Sequence, residues 1–371
     1  MLDQERIPVL KPLLPPHDAI VPFLKEIDDS RWYANHGPMI TNFEAGLAQT
    51  MDVLPHAVAC MSNGTLAIAV ALRAAGALPG ARCLLPSWTF IGTAAAVLTA
   101  GLEPHFVDVD SKTWALDPDT LLARDDLDSV GAVVVVAPFG APVDRASWDH
   151  FTEKTGIPVV IDAAAAIDAI ASAPAMAAGP TPMAVSLHAT KTLGIGEGGF
   201  IVCTDSDLMQ RARQIGNFGF YSISVAQMQG WNAKISEYSA AVGLACIQEW
   251  PQKRDRWERI TQQYKTRLQD IEGVTIHPTY GTGWVSSYCC VRTTIDCHRL
   301  ADQMDRHAID TRRWWRSGCH AHPGYMSVPR DPLPATKALA TSTIGLPFSV
   351  DMTTEQVDRV CETVSDLLAD R

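Results

Sequence analysis

The chain has no cysteine pair at CxxC spacing, no apolar run of membrane-spanning length and a shortage of basic residues. Its nine cysteines, at 60, 83, 203, 246, 289, 290, 297, 319 and 361, are scattered and odd in number. That pattern fits reduced thiols and excludes a disulfide framework or a zinc ribbon. No metal site is expected. Thirty Lys and Arg stand against 41 Asp and Glu, a formal net charge of −11. Nucleic-acid binding needs clustered cations, so that partner is not expected. A small anionic ligand remains compatible, because one helix N-terminus can hold a phosphate locally. The longest apolar stretches, such as VGAVVVVAPFGAPV, are too short and broken to span a bilayer. The opening MLDQERIPVLKPLLPP carries acids early and prolines within its apolar run, and does not read as a signal peptide. A cytoplasmic protein without membrane association is expected.

Hydrophobic residues make up 47% of the 371 and charged residues 19%, which supplies a large core. The length suggests two domains at roughly 150 residues each. From about 57 to 204, short apolar runs alternate with helical patterns. AVACM, CLLP, HFVDVD, GAVVVVAPFG, PVVIDAAA, MAVSLHA and GGFIVCT read as strands, with LAIAVALRAAGAL and GTAAAVLTAG as helices between them. Such alternation predicts a mainly parallel sheet covered on both faces. AAAAIDAIASAPAMAAGPTP reads as small-residue packing followed by a loop. Beyond Gly230 a long helical pattern runs over 236–271, which Pro251 is expected to kink or split. GWVSSYCCVRT reads as a strand, and the remainder as a smaller α+β unit. The expected division is a large domain over 1–245 and a small one over 246–371.

Four local patterns carry candidate chemistry. Lys191 ends the segment SLHATK and is followed by LGIGEGGF. A lone lysine after a strand is ordinarily a solvated charge. An apolar, glycine-rich setting offers a second reading, because a partly desolvated amine sheds its proton and attacks a carbonyl more readily. Ser186 stands five residues earlier and offers a hydroxyl to a phosphate oxygen. Asp162 ends the run VVID, where a buried carboxylate needs a partner. The partner is either a helix N-terminus or a protonated pyridine nitrogen, whose positive charge makes the ring an electron sink. Ser62-Asn63-Gly64-Thr65 opens a helix and offers amides to a phosphate, or forms a plain turn and cap. In PSWTF, Trp88 and Phe90 are either core or a stacking surface for a flat ring.

Together these stretches resemble the DegT/StrS family of sugar aminotransferases, a branch of the fold type I pyridoxal-phosphate (PLP) enzymes. The resemblance runs from RWYANHGP near 31 to GLPFS at 345–349. It rests on SNGTLAIAVALRAAG, LLPSWTFIGTAAAV, HFVDVDSKTWALDP, VVIDAA, SLHATKTLGIGEGGFIV and GWNAKISEYSAAVGL, in the family's order. It implies a large domain with a mainly parallel seven-stranded sheet and a smaller C-terminal α+β domain. It further implies that Lys191 carries PLP covalently, Asp162 partners the pyridinium and Phe90 stacks on the ring. Gly64, Thr65 and Ser186 would form the phosphate cup, and Asn232 would reach the cofactor of a neighbouring subunit in a homodimer. Where the family commonly carries a polar residue after the aspartate, this chain has Ala165, which cannot hydrogen-bond the cofactor through its side chain.

The implied reaction passes an amino group from glutamate, leaving 2-oxoglutarate and pyridoxamine phosphate, and then onto a nucleotide-linked keto sugar. The expected acceptor is a TDP-4-keto-6-deoxyhexose aminated at C4, in deoxyamino-sugar or O-antigen and other polysaccharide biosynthesis. Amination at C3, a PLP-dependent sugar dehydratase and a non-catalytic ligand sensor on the same fold are the alternatives. Candidate substrate residues are Tyr33, His36, Trp88, Lys234, Arg312, Trp314, His320 and Tyr325. Those from 312 onward combine cations with aromatics, which suits a nucleotide diphosphate and its base; the other reading is a loop packed on the large domain.

Overall fold

The computed structural model describes residues 5–220 and 225–369. Seven strands form the main sheet: β1 (Val58–Met61), β2 (Arg82–Pro86), β3 (Glu103–Val107), β4 (Val130–Val136), β5 (Val159–Asp162), β6 (Met183–Ser186) and β7 (Gly199–Val202). Their order is β1-β7-β6-β5-β4-β2-β3, and only β7 runs against its neighbours. The composition explains the layering. In β4, VGAVVVV is buried along almost its whole length. Val133 and Val135 join one apolar core, while Ala132 and Val134 join the other. A strand whose side chains alternate between two cores must be apolar on both faces, so it reads as a continuous run.

A three-stranded antiparallel sheet, in the order β10-β9-β8, is built from β8 (Val274–Ile276), β9 (Cys289–Thr293) and β10 (Thr343–Leu346). The N-terminal segment lies beside it: the Ile7 amide donates to the Ala308 carbonyl, Ile7 bridges Ile309, and the Phe348 amide just after β10 donates to the Val9 carbonyl. The helix Glu237–Leu268 leads from one sheet to the other and is unbroken at Pro251. The proline is exposed, so water can satisfy the carbonyl it leaves unpaired. The helix is also clamped from the side. A Cβ on Gly243 would lie 2.4 Å from the Phe43 ring of helix Pro38–Thr50, so the two helices meet closely there. The expected domain division at 245/246 falls inside this helix, between two buried residues.

Two further expectations differ from the structure. The alanine-rich stretch forms helices Ile167–Ser172 and Pro174–Ala177, consistent with alanine's helix propensity and a proline at N1. In GWVSSYCCVRT only Cys289–Thr293 is strand. The preceding residues turn to the large sheet: the Val285 amide donates to Asp168, and Ser286 Oγ donates to the Phe139 carbonyl. The same seam holds His277, which is buried against the edge of Trp114 at 5.2 Å, with Nε2 3.1 Å from the Thr113 carbonyl. The Thr279 amide donates to Nδ1, so Nε2 carries the proton of a neutral ring.

Burial lowers the pKa of His277 from its ordinary value. Its neutral contacts are therefore fully present above about pH 6.5 and are lost as the pH falls through the lowered folded value. His277→Gln should cost about 1 kcal/mol near pH 7.5. That difference should shrink as the pH is lowered, measured by urea unfolding of both proteins from pH 7.5 to 5.

Candidate active site

The parallel strands β2, β4, β5 and β6 all end at one edge of the large sheet, and β1, antiparallel to the reversed β7, ends there too. In open α/β sheets this carboxyl edge is where ligands gather. Asp162 is the last residue of β5, Ser186 the last of β6, and Ser62–Gly64 follow β1. Lys191 follows β6 within five residues. Side chains separated by well over a hundred positions in the chain are thus delivered to one place by strand direction alone.

Asp162 is buried, with only 6% of its surface exposed. Thr93 Oγ1 donates to its Oδ2 at 2.7 Å, and the Ala164 amide donates to Oδ1 at 3.1 Å. Thr93 is placed by the helix Ile91–Thr99, and its hydroxyl also pairs with Thr89 at 2.8 Å. Burial raises the Asp162 carboxyl above its ordinary pKa, opposed by Thr93, the Ala164 amide and the charge of Lys191. The carboxylate lies within the field of the Lys191 amine. That amine in turn donates to the phenolic oxygen of Tyr288 at 2.9 Å. Tyr288 meets Trp314 edge-on at 4.9 Å and Phe139 at 5.9 Å, and Phe139 stacks on Trp315 at 3.9 Å.

The loop after β1 is shaped by glycine. Asn63 Oδ1 accepts from the Leu66 amide and caps the 11-residue helix Gly64–Ala74. A Cβ on Gly199 would stand 2.6 Å from the Asn63 carbonyl carbon, and one on Gly64 would stand 2.9 Å from Ser186 Cβ. The helix N-terminus and the end of β6 therefore touch through their backbones, with the Ser186 hydroxyl beside them. A helix N-terminus with adjacent hydroxyls suits a phosphate. Phe90 is 62% exposed and folds back over Gly92, where a Cβ would lie 3.0 Å from its ring and 3.4 Å from Thr65 Oγ1.

Among the substrate candidates, Arg312 and Trp314 line a cavity of about 280 Å³, together with Thr89, Phe90 and His322. The Arg312 guanidinium lies over the Trp314 ring at 4.9 Å. His320 sits just behind, its Nδ1 paired with the buried Ser87 hydroxyl at 2.8 Å, and burial and nearby cations lower its pKa. Trp88 is buried, edge-on to Trp315 at 5.3 Å. Tyr325 packs on the apolar core behind Cys319. The remaining candidates form a second group. Tyr33 stacks on Tyr238 at 6.1 Å, and Lys234 lies over the Phe218 ring at 4.5 Å. His36 has its pKa lowered by burial and by the neighbouring Arg213 and Lys234. Asn232 is exposed and bridges Asn217. This group adjoins the loop after β1, where the Ser62 amide donates to the Ala233 carbonyl at 2.7 Å.

Thr93, Phe139 and Tyr288 were not among the residues expected from the sequence. Thr93 carries a weak signal, standing four residues after Thr89 across a helix start. The other two carry none, because each lies in an apolar stretch that reads as core. Among the described residues no cluster of His, Cys, Asp and Glu is arranged to hold a metal, and no helix is long and apolar enough to cross a membrane.

The donor set fits pyridoxal phosphate. A primary amine, a buried carboxylate within the field of that amine, and a helix N-terminus with a serine hydroxyl match an aldehyde, a ring nitrogen and a phosphate. Gly199→Ala should force the Asn63–Gly64 backbone away from β7. A destabilisation of about 1–3 kcal/mol is expected from such overpacking, with weaker retention of the cofactor on dialysis, measured by denaturant titration and by bound-PLP absorbance.

The family model of the DegT/DnrJ/EryC1/StrS aminotransferases matches residues 17–365. "Protein Rv3402c" of Mycobacterium tuberculosis (strain ATCC 25618 / H37Rv) is 30% identical over 97% of this chain and 90% of its own length. The dTDP-4-amino-4,6-dideoxy-D-glucose transaminase of Shigella dysenteriae is 28% identical over 72% of each chain. The crystal structure of a putative PLP-dependent aminotransferase from Bacillus cereus ATCC 10987 superposes with a TM-score of 0.88 at 28% identity, covering 97% of this chain and all of that one. The chain belongs to the DegT/DnrJ/EryC1/StrS aminotransferase family, and is a PLP-dependent aminotransferase of fold type I.

Proposed function

We propose that the protein is a nucleotide-sugar aminotransferase that moves an amino group from glutamate to a TDP-4-keto-6-deoxyhexose at C4. The observation that carries this reading is the Lys191 amine set within the field of the buried Asp162 carboxylate and hydrogen-bonded to Tyr288, whose ring meets Trp314 on the wall of the Arg312 cavity. A guanidinium over an indole suits a diphosphate beside a flat base. The C4 position is supported by the Shigella relative, whose name places its amino group at C4. In the same reading Asn232 and Lys234 serve the neighbouring subunit of a homodimer. The exposed rings of Tyr33, Tyr238 and Phe218 supply an apolar face for that contact.

When bound, pyridoxal phosphate supplies an electron-withdrawing ring that takes up and returns the amino group. Asp162 would hold the proton on the ring nitrogen, and its burial would strengthen that interaction because little water competes for the carboxylate. Thr93 and the Ala164 amide fix the carboxylate's orientation. Lys191 Nζ would hold the cofactor through its amine and would move a proton at the substrate carbon as a general base. Gly64, Thr65 and Ser186 would seat the phosphate, and Phe90 would stack on the ring.

Holoenzyme mixed with glutamate should release 2-oxoglutarate in an amount equal to the bound cofactor. A subsequent panel of TDP-, UDP- and GDP-linked 3-keto and 4-keto sugars, read by mass spectrometry, should give an amino sugar with the TDP 4-keto compound. Product from a 3-keto sugar alone would reassign the carbon, and product without 2-oxoglutarate would refute amino transfer from glutamate. Lys191→Ala should lower the half-reaction rate by roughly 10²–10⁴-fold or more, the range carried by a single general base.

A further inference from the structure

We propose that Tyr288 is a further positioning residue of this active site. Its phenolic oxygen accepts a hydrogen bond from Lys191 Nζ and holds that nitrogen, in its protonated form, against an aromatic wall. The inference rests on the reading of Lys191 as the amine that carries the cofactor.

The geometry favours a hydrogen bond over a ring contact. Nζ is 2.9 Å from the phenolic oxygen but 5.0 Å from the ring centroid, so the charge rests at the hydroxyl and not over the π-face. The Asp162 carboxylate attracts Lys191 through its field, but its two oxygens are engaged by Thr93 and by the Ala164 amide. Residue 165, on the same loop as Asp162, offers only a methyl group. Tyr288 brings its polar group to this place from another element, the segment that leads into β9.

The phenol is itself immobilised. Trp314 meets its ring at 4.9 Å with planes 77° apart, and Phe139 at 5.9 Å with planes 64° apart. Phe139 is held by the stack on Trp315 and by the buried Ser286 hydroxyl, which donates to the Phe139 carbonyl at 2.5 Å. Ser286 is two residues before Tyr288, so the phenol and the turn beneath it are tied together. An acceptor locked by packing spends little further entropy in orienting a flexible lysine. Two consequences follow. The direction of the amine depends on how the small sheet seats on the large one. The wall behind the amine is also the wall of the Arg312 cavity, because Trp314 belongs to both.

Tyr288→Phe tests this in the holoenzyme, since phenylalanine keeps every ring contact and removes only the hydroxyl. The readout is the pH midpoint at which the visible band of the lysine-bound cofactor changes. A hydrogen bond accepted from the charged form of a nitrogen favours that form. The variant's midpoint should therefore fall by about one pH unit, a tenfold change in the proton equilibrium. The thermal unfolding midpoint should stay within about 2 °C, and kcat for the glutamate half-reaction should drop by more than KM changes. An unmoved band midpoint would reduce Tyr288 to packing and overturn the proposal. A raised midpoint would overturn it as well, because the phenol would then be donating to the cofactor instead of accepting from the lysine. Absence of any visible band in the unsubstituted protein would strike the cofactor reading, which is a separate result.

Discussion

A carboxylate placed where water is scarce governs this molecule. Asp162 is buried at the end of a central strand, and burying an ion without a partner is among the costliest acts in folding. Two neutral donors and one lysine offset that cost only in part, and the carboxyl is left with a pKa above its usual range. A site in that condition favours a cation, and a protonated ring nitrogen is the cation that the family's cofactor supplies. In the proposed reading, the carboxylate that is costly to bury is also the one that would keep the cofactor ring an electron sink.

The surrounding architecture brings that carboxylate, an amine and the N-terminus of helix Gly64–Ala74 to one edge. Parallel strands accomplish this because their carboxyl ends coincide. The reversed β7 between β1 and β6 completes it by pairing Gly199 with both Met61 and Ser186. Glycine is required there, since a methyl group would collide with the loop that opens the helix at residue 64. The second sheet then seats against this edge and contributes Tyr288, Trp314 and Arg312, so neither sheet contains the whole site.

The main sheet could be read with little ambiguity from the alternation of Val- and Ile-rich runs with alanine-rich helices. Lys191, Asp162 and Ser62–Thr65 could be singled out because each stands where an apolar run ends. Other features were beyond reach. Pro251 marks a helix break in any local reading, yet the helix continues because the proline faces solvent and the helix is packed against Phe43 at Gly243. Trp88, Phe90 and Trp314 look alike as aromatics near a strand or loop, but the fold buries the first and leaves the second open. It sets the third between a cavity and a tyrosine.

What the sequence determined by itself was therefore the periodic part: which runs are strands, where they end, and which reactive side chains stand at those ends. Burial pattern and strand direction depend on local composition, and local composition is written along the chain. Only the tertiary structure decided who meets whom across the seam between the sheets. Across it Tyr288 meets Lys191, 97 residues away, and within the large-sheet unit Thr93 meets Asp162, 69 residues away. No spacing rule links such positions, since their meeting depends on how helices and sheets pack.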